Sequence, residues 1–225
     1  MSTLSIQTPK VWTLVLAGGS GRRFGRPKQF EMLGDERLID RVLRVAGSVT
    51  AGTTVVVPSG YQSERLDADN VVAGGDSHMA SARRGLTAVP TDVDIILIAL
   101  PSHPLATAGL CRQLIDACAD RSIDASAPAQ PLADALKQVV DGQVVATQSR
   151  AGLMACPFPA AFKASTLRQA LAPADDGTVV NYAEELEAVE NIGGKIVTIE
   201  NEPTNIHVTT PRELEMARRL LGIVE

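Results

Sequence analysis

Residues 16–30 read Leu-Ala-Gly-Gly-Ser-Gly-Arg-Arg-Phe-Gly-Arg-Pro-Lys-Gln-Phe. They follow an apolar run, Val11–Ala17, that has the pattern of a buried strand. Glycine lets backbone approach a ligand closely and enter positive φ, where other residues are strained. A turn of this kind exposes main-chain N–H groups that can hold phosphate oxygens. Arg22, Arg23, Arg26 and Lys28 place positive charge beside them. The stretch predicts triphosphate handling at the end of the first strand of an α/β sheet, where open sheets bind their ligands.

The spacing excludes two common nucleotide loops. A Walker loop requires Gly-Lys followed by Ser or Thr, and that tripeptide is absent. A dinucleotide fingerprint requires G-x-G-x-x-G leading straight into a helix. Gly19, Gly21 and Gly25 miss it by one residue, and Pro27 follows.

Outward from this loop, apolar runs alternate with helical patterns. Strands are expected at Val11–Ala17, Thr53–Pro58, Asn70–Ala73, Asp94–Leu100 and Ile123–Ala127. Helices are expected at Asp35–Ala46, Ser77–Ala88 and Ala106–Ala119. In the first helix Leu38, Ile39, Val42, Val45 and Ala46 share a face, with Asp35 as N-cap and Gly47 as stop. Such alternation implies an α/β fold with a mostly parallel sheet and helices on both faces.

The rhythm changes after Ala133. Leu136–Val140, Asp141-Gly142 and Gln143–Thr147 have the pattern of a hairpin, with Asp-Gly as its turn. An isolated hairpin is marginal in water, so a projecting arm calls for a partner surface. The expectation is one domain over residues 1–225, carrying an inserted arm near 134–150 that joins a homodimer. A helix over Ala160–Leu171 comes next, then the segment Val179–Glu190 and a strand over Lys195–Glu200. Thr210-Pro211-Arg212-Glu213 is a capping-box signature for a last helix.

Composition narrows the function. The 225 residues carry a net charge of −5, which argues against general nucleic-acid binding. Aromatic residues make up only 3%, so base stacking on side chains is a minor mode. Three cysteines without a C-x-x-C pair argue against a disulfide framework or a cysteine zinc site. Cys111 and Cys118 read as helix core. Without a signal-peptide pattern or an apolar run long enough to span a bilayer, the expected location is cytoplasmic.

Several segments together resemble the 2-C-methyl-D-erythritol 4-phosphate cytidylyltransferase family and the related ribitol-5-phosphate cytidylyltransferases. The loop at 16–30 is similar to their nucleotide signature, and VVAGGDSHMASARRGL to their second one. LPSHPL stands where the family has Asp-x-x-Arg-Pro, ADALKQV at its arm, and SRAGLMACPFPAAF after the arm. ENEPTNIHVTTPRELEMARRLL resembles its Asn-Ile-Lys ending.

The resemblance implies transfer of CMP from CTP to a small polyol phosphate with release of pyrophosphate, usually with Mg²⁺. It implies a Rossmann-like α/β fold and a dimer joined through the arms. By position, Arg23 and Lys28 match the catalytic basic pair, and Ala17, Gly18 and Gly19 the nucleotide cradle. Gly75, Asp76 and Ser81 match the cytidine-recognising part. Arg150 matches an arginine that reaches the acceptor phosphate from the partner, and His207 a substrate-binding lysine.

Other positions depart from the family pattern. Leu100 stands at the metal-associated aspartate, Ala135 at the arm threonine and Phe158 at the threonine of Thr-Pro-Gln. Thr204 replaces an acidic residue, with Glu200 and Glu202 near it. His78, His103 and His207 all replace basic positions. Three readings stay open for these histidines: a phosphate site strengthened by protonation near pH 6, a three-histidine metal site, or no shared role.

Overall fold

Why the chain adopts its sheet order is clearest from β1 (Val11–Leu16), whose six residues are all buried. It pairs in parallel with β4 (Thr53–Val57) on one side and β6 (Ile95–Ala99) on the other. The computed structural model describes residues 8–173, 177–201 and 204–223. Between β1 and β4 lie a 3-10 turn at Lys28–Phe30, the short strands β2 (Met32–Leu33) and β3 (Glu36–Arg37), and α1 (Leu38–Gly47). Next come β5 (Asn70–Ala73) and α2 (His78–Thr87), and after β6 come α3 (Ala108–Cys118) and β7 (Ala125–Pro131).

The arm is β8 (Leu136–Val140) with β9 (Gln143–Gln148). The chain continues through β10 (Met154–Ala155), β11 (Ala160–Lys163), α4 (Ala164–Leu171), α5 (Glu185–Asn191), β12 (Ile196–Glu200) and α6 (Pro211–Leu220). The main sheet has eight strands. Its order is β5-β4-β1-β6-β11-β7, with β12 parallel to β7 and β10 antiparallel to it. Only β10 and β11 run against the rest, so the sheet is mostly parallel. The chain leaves β1 towards β4 and β5, then returns on the opposite side at β6. The switch point therefore lies at the carboxyl ends of β1 and β6, where a ligand crevice is expected.

Period-two alternation along the strands sends side chains into both faces. Trp12, Leu14, Leu16, Ile96 and Ile98 join α2, α4 and α5 in one core. Val11, Val15, Val55, Ile95 and Leu97 join α1 and α3 in the other, with Cys111 and Cys118 buried there as expected. A third cluster packs Phe24 with Leu33, Leu105, Val208 and Leu214, fastening the glycine-rich loop to α6.

Several expectations need correction. Asp35 does not cap α1: a turn through Gly34, at φ +71°, joins β2 to β3, and the helix starts at Leu38 after Arg37. Ala160–Leu171 is not one helix. Its first four residues form β11, inserted antiparallel between β6 and β7. The strand expected at Ile123–Ala127 instead runs Ala125–Pro131, and within Val179–Glu190 helix begins only at Glu185.

The arm takes the expected form. Asp141 and Gly142 have φ of 49° and 78°, the paired positive values of a hairpin turn. Val139, Val140, Val144 and Val145 are each more than half exposed, at 54%, 51%, 62% and 56%. Among the described residues, no helix is long and apolar enough to cross a membrane.

Candidate active site

The loop after β1 is held by its own backbone and by one buried amide. Gly21 has φ +68°, and a Cβ there would lie 1.8 Å from the Arg26 carbonyl oxygen. Phe24 and Gly25 N–H groups both donate to the Gly21 carbonyl at 2.9 Å. Gln29, only 3% exposed, donates through Nε2 to the carbonyls of Ala17 (2.8 Å) and Gly19 (3.1 Å). With those carbonyls turned inward, the N–H groups of residues 18–23 have no protein acceptor among the described residues. The Ala17 N–H is different, donating to the Val56 carbonyl within the sheet.

Each cation of the loop has a distinct position. Arg26 is paired with Glu31 and does not line the cavity beside Arg23. Arg22 is exposed. Lys28 is half-buried, and its Nζ donates to the Val208 carbonyl at 2.6 Å. Burial first, and then the Arg23 charge, lower its pKa, against the pull of Glu213. Arg23 makes no hydrogen bond among the described residues and lines a cavity of about 700 Å³. The cations expected to act together are thus adjacent, one anchored and one available.

The second signature meets the first through bare backbone. A Cβ on Gly18 would lie 3.1 Å from Ser81 Oγ, and one on Gly74 would lie 3.0 Å from it. Ser81 is buried, and its hydroxyl accepts from Gly75 N–H at 3.0 Å. The hydroxyl thus holds the Gly74-Gly75 turn in place, and Asp76 stands exposed beyond it. Ser77 caps α2, its side chain accepting from Ala80 N–H.

All three histidines line the same cavity, but in two separate arrangements. His103 and His207 stack with centroids 4.6 Å apart and planes at 20°. His103 is 4% exposed; burial, with His207 and Lys28 beside it, pushes its pKa down to about 3. His207 is lowered too, by burial and then by Lys28 and Arg23. His103 is therefore neutral near pH 6 and His207 is shifted in the same direction, which speaks against a protonated phosphate site there. His78 sits apart, its Nε2 2.9 Å from Oε1 of the fully buried Glu185. Burial opposes its charge, but Glu185 outweighs burial and the pKa is raised. Burial, and then Glu185, raise neighbouring Glu184 to about 7.

A metal held by the protein does not fit this donor set. A hard cation takes oxygen ligands, and Leu100, which lines the cavity at the expected position, has none in its side chain. No cluster of three histidine, cysteine or acidic residues among the described residues could hold an ion, so the three-histidine reading also fails. Glu202 lies outside the described residues.

Arg150 does not line the cavity. It donates to the carbonyls of Leu132 and Ala133 and so braces the base of its own arm. Sequence reasoning missed Gln29 as the loop's anchor, and it missed a relay of amides. Asn205 donates to the Phe158 carbonyl (2.9 Å) and to Asn201 (3.2 Å), and Asn201 donates to Gln130 (2.9 Å). The links of Asn205 to Phe158 and of Asn201 to Gln130 span 47 and 71 positions and leave no local signal. A second cavity, of about 790 Å³, lies between α3 and β12 beyond Asn205; its described lining holds no lysine or arginine and does not suit a triphosphate.

Known proteins resemble this chain along most of its length. The family model described as IspD: 2-C-methyl-D-erythritol 4-phosphate cytidylyltransferase matches residues 11–222. The 2-C-methyl-D-erythritol 4-phosphate cytidylyltransferase of Frankia casuarinae is 32% identical, over 97% of this chain and 84% of that one. The Streptomyces avermitilis protein of the same name is 34% identical, over 93% and 90%. The crystal structure of the Thermus thermophilus protein of that name shares the fold, with a TM-score of 0.79 at 23% identity over 93% of this chain and 98% of that one. With a matched span that takes in the loop, the cavity walls and the arm, the chain belongs to the IspD family.

Proposed function

We propose that the protein transfers CMP from CTP to a small polyol phosphate, 2-C-methyl-D-erythritol 4-phosphate first among them, and releases pyrophosphate in isoprenoid precursor synthesis. The observation that carries this reading is the run of unpaired N–H groups at 18–23 beside Arg23 and Lys28, at the switch point of the sheet. Anionic phosphate oxygens match such donors. An acceptor phosphate oxygen attacks the α-phosphorus in line. A new P–O bond forms as the bond to the β-phosphate breaks, and the electron pair leaves on pyrophosphate. Arg23 meets the charge that builds on the phosphoryl oxygens, while Lys28, fixed by Val208, faces the leaving group. Catalysis of this kind rests on positioning and charge stabilisation.

In the same reading Ala17, Gly18 and Gly19 cradle the nucleotide, and Gly75 with Asp76 takes the cytidine end, supported by the Ser81 hydroxyl. His207 offers the substrate a ring nitrogen. The arm completes a homodimer: its four exposed valines need an apolar surface, and a second arm supplies one. Arg150 then stands near the partner's acceptor site. The usual Mg²⁺ enters with the nucleotide's own phosphates. The test is pyrophosphate release from CTP across a panel of phosphorylated acceptors, with 2-C-methyl-D-erythritol 4-phosphate expected to be the best substrate. CTP binding without release on any acceptor favours a second reading, a catalytically weak nucleotide-binding protein, to which Leu100 and the buried His103 stacked on His207 point.

A further inference from the structure

The crevice is charged at one end only. On the β1 side stand Arg23 and Lys28 with the unpaired N–H groups. On the β6 side stand Leu100 and the stacked imidazoles of His103 and His207. The Leu100 side chain packs on the hydrophobic core and has no oxygen to give. Stacked rings present faces to each other, so their nitrogens do not converge on one point. Among the described residues Glu184 is the one carboxylate in the cavity wall, and it belongs to the separate group around His78 and Glu185.

Hard cations such as Mg²⁺ bind through one or two carboxylates together with substrate phosphates. Here the end of the crevice next to the phosphate loop lacks the carboxylate among the described residues. We infer that the protein's own contribution to neutralising the nucleotide's phosphates comes from Arg23, Lys28 and main-chain N–H groups alone, and that a divalent ion is held by the nucleotide and not by protein. Nucleotide affinity is then indifferent to divalent cations, because no protein ligand rewards their presence. Leu100 is the position that sets this property. The inference rests on the triphosphate reading given above.

The test is CTP binding to the full chain by calorimetry, with Mg²⁺ and with EDTA. The expected dissociation constants agree within about threefold, less than 0.7 kcal/mol. Weakening by about tenfold or more in EDTA overturns the inference while leaving the nucleotide reading intact. No CTP binding in either condition overturns the nucleotide reading, and this inference with it. Leu100→Asp should create the missing dependence, binding CTP at least about tenfold more tightly with Mg²⁺ than with EDTA, whereas Leu100→Asn should not. A folded Leu100→Asp that remains indifferent to Mg²⁺ overturns the role given to Leu100. Arg23→Ala supplies a readout that does not depend on residue 100: its loss of CTP affinity should be equal in Mg²⁺ and EDTA, and rescue by Mg²⁺ counts against the inference.

Discussion

The two ends of the crevice are built on different physical plans. At the β1 end the working groups are main-chain N–H donors, held by Gly21, Gln29 and the anchoring of Phe24 in a core. At the β6 end the working groups are side chains, and there the chain carries Leu100, His103 and His207. Backbone recognition tolerates drift in sequence as long as the turn can form. Side-chain recognition changes with each substitution. The loop is thus fixed by its turn, while the wall facing it offers a leucine and two stacked imidazoles.

The largest effect should come from breaking the backbone plan. Gly21→Ala combines a positive φ with a Cβ placed 1.8 Å from a carbonyl oxygen, so the turn must open. CTP affinity should fall by about a hundredfold, or 2.7 kcal/mol. Gly25 is also at positive φ, +88°, but a Cβ there meets open space. Gly25→Ala carries only the left-handed strain of about 1–2 kcal/mol. Titration calorimetry of the two variants separates overlap from strain, and equal losses would break the comparison.

Side-chain charge comes next. Arg23→Ala and Lys28→Ala should each lower turnover at least about tenfold, or 1.4 kcal/mol of transition-state stabilisation. His207→Ala should cost about fivefold, the size of one neutral hydrogen bond near 1 kcal/mol. Pyrophosphate release by folded variants is the readout. A loss at His207 as large as at Arg23 would mean that the β6 end carries charge after all.

The histidines make the contrast visible in stability against pH. His103 has a depressed pKa, about 3 against an ordinary 6.5. Its contribution is fully present above pH 6.5 and is lost as pH falls towards 3. His78 is raised, so its contribution is present below 6.5 and is lost as pH rises through its folded value. Melting temperatures of His103→Phe should therefore fall less than wild type between pH 6.5 and 4. Those of His78→Gln should gain on wild type as pH rises above neutrality. Parallel curves for all three proteins would break the assignment of opposite signs.

What the sequence made legible follows the same division. The strand, the glycine loop, the Asp-Gly hairpin and the family signatures are local patterns, and the structure realises them. The misreadings arise where tertiary packing overrides local preference. Ala160–Lys163 consists largely of helix formers, yet β6 and β7 leave a gap that only a strand can fill. The stack of His103 on His207 joins residues 104 positions apart, and nothing local announces it. Gln29 sat in plain view beside Lys28, but that its amide reaches back to Ala17 becomes apparent only once the turn is built.

The smallest effects test how each end is fastened. Glu213 Oε2 accepts from Thr209 N–H at 2.5 Å and from Thr210 N–H at 2.7 Å, closing the capping box of α6. Those hydrogen bonds overcome burial and hold its carboxyl down at about 2. The segment so pinned carries His207 and the Val208 carbonyl that anchors Lys28. Glu213→Ala should cost about 1 kcal/mol in denaturant unfolding, the usual size of a lost cap. Asp35→Ala should stay within about 0.5 kcal/mol, because Asp35 sits in the turn before β3 and the start of α1 does not use its side chain. If Asp35→Ala proved the more costly, the start of α1 would depend on that carboxylate after all, and the fastening of the loop side would need a different account.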